Sequence, residues 1–386
     1  MPKLLRITTV PLSLRSLLPN QMRYMKENGF EVIMVSSEGK EWPGLLENEQ
    51  CDHRIVPMAR EIAPFKDLRS LWRLYRLIKK EKPDIVHSHT PKAGLLAMLA
   101  AKMAGVKIRI HTIAGLRFMT ATGFTRKLLV FMEKLTGKAA THVWPNSFSL
   151  LEYVRKQKLV SEKKLAVIGQ GSSNGVDLSR YSVSALKQEI IQSVKEKIQY
   201  TEGLVYLLNM GRIVKDKGIN ELMSAFLVLH RENALLRLIV LGHFEDKLDP
   251  ISEEARHILT THQAIIHIDW SNEVEYYMHL ASLMVHASYR EGFPNTLLQA
   301  GAMGCPIVCS AIEGSVDIVA HRQTGLLFQP QQTEDLIAAL REALADPAAM
   351  QGYAVQLRAK VESNFSQTYL HRCMKEKYLE LLAGAS

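Results

Sequence analysis

Three short stretches of the sequence place charged residues and glycines where they could bind a phosphorylated ligand. The first is GRIVKDKG, residues 211–218, which follows an apolar run that predicts a β-strand. Gly211 permits close backbone approach, Arg212 offers a planar fork of donors and Lys217 offers a point charge. Because the loop leads into a helix, whose N-terminus adds partial positive charge, the stretch suits a diphosphate. A solvated pair of basic residues is the alternative interpretation.

The second stretch is EGFPNTLLQ, residues 291–299, which follows the strand-like LMVHAS. Pro294 suits the first helical position because its φ is already set and no N–H is lost. The turn before the helix consists of Gly292, Phe293, Pro294 and Asn295. Its backbone amides can bind a phosphate oxygen. Glu291 can accept hydrogen bonds from sugar hydroxyls, and Gln299 can offer a carboxamide to the hydroxyls of a ribose. This pattern favours a nucleotide-sugar, and a capped structural helix with an incidental glutamate is the alternative.

The third stretch, HSHTPK at residues 87–92, puts His87 and His89 on one face of a strand at its C-terminal end. Together with Lys92 they could bind a phosphate or hydroxyl group of a second substrate, and Arg117 could face the same ligand. Structural packing is an equally good interpretation of either histidine. We expect no metal site, because no third ligand is evident.

Apolar strand-like segments alternate with amphipathic helices along the whole chain. The first half contains KLLRITTV, FEVIMVSS, DIVHSH, VKIRIHTI, THVWPNS and KLAVIGQG, and the second half contains GLVYLLNMGR, LLRLIVLGHF, AIIHIDW, LMVHAS, PIVCSA and TGLLFQP. This alternation predicts parallel sheets covered by helices on both faces, an α/β fold. Ligands of such sheets bind at the carboxyl ends of the strands, which is where the candidate residues lie.

At 386 residues the chain exceeds the usual size of a single core, so we expect two doubly wound, Rossmann-like domains that face a cleft between them. The polar segment at residues 175–200 offers the best boundary. The expected divisions are an N-terminal domain at 1–183, a C-terminal domain at 184–365 and a last helix at 366–386 that packs back on the first domain.

Charge is distributed unevenly along the chain. Residues 1–183 hold 30 Lys and Arg against 15 Asp and Glu, while residues 184–386 hold 18 against 24. The first half should therefore meet something anionic, and we expect no nucleic acid because no recognition motif appears. The densest basic element, residues 66–82, carries an apolar stripe of Leu68, Leu71, Trp72, Tyr75 and Ile78. It is either a solvated helix packed on a sheet or, in addition, a helix that contacts an anionic membrane surface.

The apolar segments and the cysteines indicate the cellular compartment of the protein. We find no stretch long enough for a membrane span and no signal-peptide core at the N-terminus, so we expect a cytoplasmic protein, with peripheral membrane contact as an option. The four cysteines show no paired metal spacing and are expected to be reduced thiols.

Four motifs in order along most of the chain resemble glycosyltransferase family 4, a retaining family with the two-domain GT-B fold. Residues 291–299 look like its E-x7-E region and residues 211–218 like its G-R-x4-K-G element. NGVDLSRY, residues 174–181, is similar to its inter-domain sequence, and residues 84–101 are similar to its first-domain H-x-H region. The pattern is closest to bacterial members that extend lipid-linked glycans in capsule or O-antigen assembly.

The resemblance implies roles for individual residues. Arg212 and Lys217 would neutralise the donor diphosphate, Glu291 would hold the donor sugar, and neither a metal nor another cofactor would be required. Retention would proceed by front-face attack of the acceptor hydroxyl. Two positions depart from the family pattern: Gln299 replaces its second glutamate, and Ala114 stands where a histidine near the reaction centre is usual. His111 is the remaining histidine of that region and is a candidate for catalytic contact.

The residues and the resemblance together predict transfer of a hexose or N-acetylhexosamine, most simply from a UDP-sugar, to a glycan acceptor in bacterial surface polysaccharide synthesis. A polyprenyl diphosphate is the carrier that we expect for the acceptor, and another glycan acceptor is left open. A nucleotide-sugar-binding scaffold subunit that has lost turnover is one alternative, and a UDP-sugar 2-epimerase is another. The donor sugar, the linkage and the oligomeric state are left open. For the base, the sequence points only to the region of HIDWSN, residues 267–272.

Overall fold

The computed structural model describes residues 1–59, 61, 63–246 and 249–385. The chain divides into two compact units, one formed by Met1–Gly175 with Gln367–Ser386 and the other by Val176–Ser366. Within the described residues, no helix combines the length and apolar character needed to cross a bilayer.

In the part of the chain that the structure describes, each unit contains six parallel strands. The first unit has β1 Lys3–Ile7, β2 Glu31–Ser36, β3 Asp52–Ile55, β4 Ile85–Ser88, β5 Ile108–Ile113 and β6 His142–Pro145. The second has β7 Val205–Met210, β8 Leu236–Leu241, β9 Ile265–Ile268, β10 Leu283–His286, β11 Ile307–Ser310 and β12 Leu326–Phe328. The sheet orders are β3-β2-β1-β4-β5-β6 and β12-β11-β10-β7-β8-β9, which are the same doubly wound order. The α/β fold predicted from the alternating segments is confirmed.

Helices cover both faces of each sheet. The first unit has α1 Pro11–Leu17, α2 Gln21–Glu27, α3 Trp42–Glu49, α4 Pro64–Glu81, α5 Pro91–Ala104, α6 Gly123–Ala139 and α7 Phe148–Lys156. The second has α8 Gln188–Lys197, α9 Ile219–Glu232, α10 Glu253–Thr261, α11 Val274–Leu280, α12 Asn295–Met303, α13 Ser315–Ile318, α14 Thr333–Ala345 and α15 Pro347–Asn364. The last helix, α16 Gln367–Ala385, belongs to the first unit and packs against α2.

The strands predicted from the sequence differ from the observed strands at two places in the first unit. The segment 164–171, expected as a strand, makes only an isolated bridge between Leu165 and Val143. Gly169 and Gly171 have φ of +56° and +103°, which turn the chain away before a ladder can form. Conversely, the sequence does not predict β3, because this edge strand has the polar sequence DHRI and shows no apolar alternation.

Each sheet has a separate apolar core on each face. In the first unit α4, α5 and α6 cover one face around Leu74, Ala97 and Val143, while α1, α2, α3 and α16 cover the other around Trp144 and Tyr378. The three helices of the first face lie side by side, because each one follows a crossover in the same direction along the sheet.

Candidate active site

The charged loops of the second unit meet where its strand order reverses. β7 and β10 pair directly, although β8 and β9 separate them in sequence. In doubly wound sheets, the crevice at the carboxyl ends of the strands on either side of such a reversal is the usual ligand site. β7 leads into Gly211, and β10 leads into the loop that contains Glu291.

Two glycines let the backbone pack tightly beneath this edge. Gly242, which follows β8, has φ +157°, and a Cβ there would lie 1.7 Å from the carbonyl oxygen of Gly211. Gly218 has φ +67°, and a Cβ there would lie 2.1 Å from the carbonyl oxygen of Ala287. Neither position can accept a side chain without backbone movement. The loop 211–218 is therefore held directly against the ends of β8 and β10.

Lys217, Glu291 and His286 form the charged centre of the edge. The Lys217 ammonium pairs with Oε1 of Glu291, and Nε2 of His286 lies 3.4 Å from the same oxygen. The Lys217 and Glu291 side chains are 23% and 19% exposed, while His286 is buried. Burial by itself would raise the pKa of the Glu291 carboxyl, but Lys217 and His286 together hold that pKa well below its usual value. Glu291 is therefore ionised at neutral pH.

Arg212 lies on the same loop in a more exposed position. Its guanidinium pairs with Glu245 and is about half in solvent. The loop is fixed at this point by a 2.9 Å hydrogen bond from the Ile213 N–H to the carbonyl oxygen of His243. Because an ion pair so open to water is weak, an anionic ligand can draw Arg212 away from Glu245 at small cost.

Two side-chain contacts that the sequence did not reveal hold the loop after β10. Arg290 donates through Nε to Oδ2 of Asp216 at 2.8 Å, and the Tyr289 hydroxyl donates to the Glu221 carboxylate at 2.7 Å. Both join residues next to Glu291 in sequence to the segment that carries Lys217. These contacts fix the positions of the two charged loops relative to each other, and no local pattern in the sequence indicates the contacts.

Helix α12 starts one residue later than expected. The sequence predicts Pro294 at the first helical position, whereas its ψ of 106° is extended and the helix begins at Asn295. The Leu297 N–H donates to the carbonyl oxygen of Pro294 at 3.1 Å, so Pro294 is the residue that caps the helix. The fixed φ of proline suits this position as well.

The remaining donor-site candidates differ in how they are packed. Gly292 is buried, and its carbonyl oxygen lies close to Gly314. Phe293 is buried with its ring centroid 5.3 Å from that of Phe365, so its side chain contributes packing. Gln299 lies half-buried on α12, and no hydrogen bond of its carboxamide is found among the described residues.

The first unit brings His87 and His89 to the corresponding reversal between β1 and β4. Both ring nitrogens of His87 have hydrogen-bond partners within the protein. Its Nε2 lies 2.7 Å from the Thr112 hydroxyl, and its Nδ1 lies 2.6 Å from the Tyr378 hydroxyl. His89 stacks on His87 with ring centroids 4.5 Å apart, and its buried Nε2 has no partner among the described residues. Burial, and then the nearby Arg6 cation, hold the pKa of both histidines well below the usual value.

A strained threonine follows His89. Thr90 has φ +70°, a value that β-branched residues rarely adopt, and its hydroxyl lies 2.8 Å from that of Thr9 at the end of β1. Strain of this kind is concentrated at functional sites. It therefore supports the carboxyl end of β4 as a place where a ligand contacts the first unit.

Lys92 and Arg117 occupy contrasting environments. The Lys92 ammonium is nearly buried and bonds to Oδ2 of Asp67 at 2.5 Å and to the carbonyl oxygen of Glu61 at 2.6 Å. These contacts give Lys92 a structural partner that the sequence did not suggest. Arg117 is exposed in a short 3₁₀ turn after β5, where it can meet a ligand in solution.

His111 lies inside the first unit, beneath α5. It is 3% exposed, its Nδ1 is 3.0 Å from the Ser88 hydroxyl, and a Cβ on Gly94 would lie 2.3 Å from its ring. Burial lowers the pKa of the imidazole to about 4, so the ring is neutral. Packing explains this histidine, and catalytic contact stays a prediction. Ala114, by contrast, is exposed after β5.

A buried arginine on β1 has no signal in the sequence. Arg6 on β1 is 1% exposed and donates to Gln21 and, at 2.5 Å, to the Tyr378 hydroxyl of α16. It also contacts His87, and burial lowers its pKa. This cation holds the last helix against the sheet beneath the histidines. Alternation placed Arg6 in a strand without indicating which groups would surround it.

Comparison with known families gives two matches that cover most of the chain. Residues 190–364 match the family described as glycosyl transferases group 1, and residues 18–171 match the glycosyl transferase 4-like domain.

Two curated relatives match nearly end to end. The capsular polysaccharide biosynthesis glycosyltransferase CapM of Staphylococcus aureus is 31% identical, over 97% of this chain and 96% of the relative. The UDP-Gal:alpha-D-GlcNAc-diphosphoundecaprenol alpha-1,3-galactosyltransferase of Escherichia coli is 25% identical, over 100% of this chain and 96% of the relative.

Among solved structures, HepE from Anabaena in complex with UDP and glucose superimposes with a TM-score of 0.82 at 15% identity, covering 98% of this chain and all of that one. A glycosyltransferase from Rickettsia africae gives 0.80 at 19% identity, covering 100% and 98%. These likenesses show the fold, and the GT-B class expected from the sequence is confirmed.

Proposed function

Because the chain belongs to the group 1 glycosyl transferases, we propose that it is a retaining enzyme that moves a hexose or N-acetylhexosamine from a nucleotide-sugar to a glycan acceptor. The acceptor is lipid-linked and the product belongs to a bacterial surface polysaccharide. The observation that carries the proposal is the cluster of Lys217, Glu291 and His286 at the point where the strand order of the second unit reverses.

The donor diphosphate lies over the end of β7 in this proposal. Arg212 and Lys217 supply positive charge, and the 292–295 turn directly follows Glu291, the ion-pair partner of Lys217. Lys217 forms an ion pair with Glu291 in the structure. A bound diphosphate therefore either shares the Lys217 ammonium with Glu291 or displaces Glu291 from it. Glu291, kept ionised, then accepts hydrogen bonds from the sugar hydroxyls, while the carboxamide of Gln299 reaches the ribose.

Charge on the leaving group is offset by protein groups in this mechanism, without a metal or other cofactor. The acceptor hydroxyl attacks from the face that the nucleotide leaves, and the departing phosphate oxygen takes its proton. The mechanism requires no protein nucleophile, and Ala114 therefore does not prevent it. His286 positions the Glu291 carboxylate through the 3.4 Å contact between Nε2 and Oε1.

The nucleobase is assigned to the ends of β8 and β9. Trp270, in the region that the sequence indicated, is exposed, and its ring centroid lies 6.3 Å from that of His243. His243 in turn accepts the hydrogen bond that fixes Ile213 beside Arg212. A base stacked on Trp270 would therefore lie next to the diphosphate site, and UDP is the donor nucleotide that we propose.

The acceptor is assigned to the first unit. The E. coli relative is named for transfer to a diphosphoundecaprenol-linked sugar, and a 26% identical relative from Campylobacter jejuni is named for a similar lipid-linked acceptor. The surplus of Lys and Arg in residues 1–183 suits a phosphorylated lipid at an anionic membrane. His89 and Arg117, at the carboxyl edge of the sheet, are the residues that we expect to contact it.

A direct test incubates the protein with radiolabelled UDP-hexoses and UDP-N-acetylhexosamines, with and without undecaprenyl diphosphate-linked sugars. Labelled lipid product with the α-linkage of the donor supports the proposal. Tight UDP-sugar binding without transfer or hydrolysis would instead indicate a scaffold subunit. Interconversion of the free nucleotide-sugar without acceptor would indicate a 2-epimerase.

A further inference from the structure

Helix α4 has two apolar faces, of which only one is covered. The sequence predicted a single stripe that includes Leu68 and Trp72, yet the side chains buried against the sheet are those of Ser70, Leu74 and Ile78. Phe65, Leu68 and Trp72 form a second stripe at i, i+3 and i+7, and they are between 55% and 92% exposed. Core packing therefore does not account for these three residues.

Helix α6 presents a similar face. Phe124 and Phe131, seven residues apart, are 79% and 62% exposed. α4 and α6 both pack on α5 and lie on the same face of the sheet. Each helix starts after a strand of this parallel sheet, so Phe65 and Phe124, each the second residue of its helix, lie near the carboxyl edge. We call these five exposed side chains the α4/α6 surface.

Positive charge surrounds the α4/α6 surface. α4 carries six Lys or Arg against two acids, and α6 carries four against one. Both acids of α4 are paired, Asp67 with Lys92 at 2.5 Å and Glu81 with Arg54 at 2.9 Å. Burial raises the pKa of the single acid of α6, Glu133, to about 7. The charge that the two helices present to solvent is therefore strongly basic.

We propose that the α4/α6 surface inserts its aromatic side chains into the interface of a membrane rich in anionic lipids. Exposed aromatic side chains on helices rich in Lys and Arg are typical of surfaces that lie in a membrane interface. A membrane fits this surface better than a protein partner with an acidic, apolar face does. The separate aromatic side chains match the acyl-chain boundary, and the cations between them match anionic headgroups. The proposal rests on the proposed function in one respect: a lipid-linked acceptor explains why the surface borders the ligand edge.

The test is co-sedimentation with vesicles of phosphatidylcholine mixed two to one with phosphatidylglycerol, compared with vesicles of phosphatidylcholine alone. We expect binding to the mixed vesicles that weakens as salt rises. The double variant Phe65→Ser, Trp72→Ser should bind at least about tenfold more weakly, since each side chain loses its apolar burial. Val355→Ser, which removes an exposed apolar side chain of the second unit, is the matched control and should bind like the parent.

Tryptophan emission gives an independent readout. Trp42 and Trp144 are buried, so in a Trp270→Phe background Trp72 is the one exposed indole of the chain. Its emission should shift to shorter wavelength with mixed vesicles. A UDP-dependent thermal shift, measured on the double variant with Trp270 intact, shows that the second unit is folded.

Three results would overturn the proposal. They are equal binding by the double variant and the parent, equal binding to both kinds of vesicle, and a parent dimer that the double variant abolishes, which would make a second copy the occupant. Vesicle binding needs neither donor nor acceptor. A protein that binds mixed vesicles and transfers no sugar therefore refutes the proposed function and leaves this surface assigned.

Discussion

Replacing Lys217 with methionine tests the charged centre most directly. Methionine keeps much of the length of the lysine side chain and removes its charge, so the Glu291 carboxylate is left with His286 alone. Breaking a fully buried ion pair costs about 3–5 kcal/mol, and an exposed pair contributes at most about 1 kcal/mol. Because both side chains are about one-fifth exposed, we expect Lys217→Met to lower the free energy of unfolding by about 2 kcal/mol at neutral pH.

The loss should depend on pH in a defined direction. The pKa of Glu291 is depressed in the folded protein, so the unfolded chain takes up the proton first as pH falls. The stabilisation from the pair is complete above the ordinary carboxyl pKa of about 4.5 and declines as pH falls below it. The difference between parent and variant should therefore be constant from about pH 8 to pH 5 and narrow below about pH 4.5.

Urea unfolding of the parent and Lys217→Met at several pH values measures this difference. Lys215→Met is the matched control, because Lys215 lies on the same turn but is exposed. It should change stability by less than about 0.5 kcal/mol. Equal destabilisation by both substitutions, or a difference that grows as the solution is acidified, would refute the ion pair as the source of the effect.

Four further predictions concern ligand binding and packing. Arg212→Ala should weaken UDP about tenfold in calorimetry, through loss of a charge-assisted contact, and unchanged affinity would contradict its role. Glu291→Gln should leave UDP affinity within about threefold while lowering transfer rate by at least about a hundredfold in a steady-state assay. Trp270→Ala should also weaken UDP about tenfold, and Trp270→Phe should restore most of that loss if the base stacks there. Gly94→Ala should destabilise by about 2 kcal/mol in thermal unfolding, because the new Cβ would meet the His111 ring 2.3 Å away; a stability gain typical of alanine in a helix would argue against that contact.

The arrangement of elements could be predicted from the sequence in large part. Apolar runs mark eleven of the twelve strands that the described residues form, and the regular alternation with helices predicts parallel sheets. The same reasoning placed 211–218 and 291–299 after strands, where loops meet ligands. It failed for β3 and for residues 164–171, where a polar edge strand and two glycines in left-handed conformation overrode the pattern.

The contacts inside the candidate site could be predicted only in part. The sequence predicts that Lys217 and Glu291 bind neighbouring parts of one ligand, but it does not indicate their mutual ion pair. His286 lies five residues before Glu291 at the end of a buried strand, and that position was the one available signal for it. His111 and Lys92 had residue types suited to binding, yet the structure gives each of them partners within the protein.

Sequence alone determined what depends on neighbours along the chain: the periodicity of strands and helices, the glycines that permit sharp turns, and the uneven charge of the two halves. Tertiary structure decided what depends on neighbours in space. It paired Lys217 with Glu291, 74 residues away, and left Phe65 and Trp72 in solvent while burying Ser70. The physical reason is that burial and electrostatic partnership arise from packing between distant segments, which local patterns constrain but do not specify.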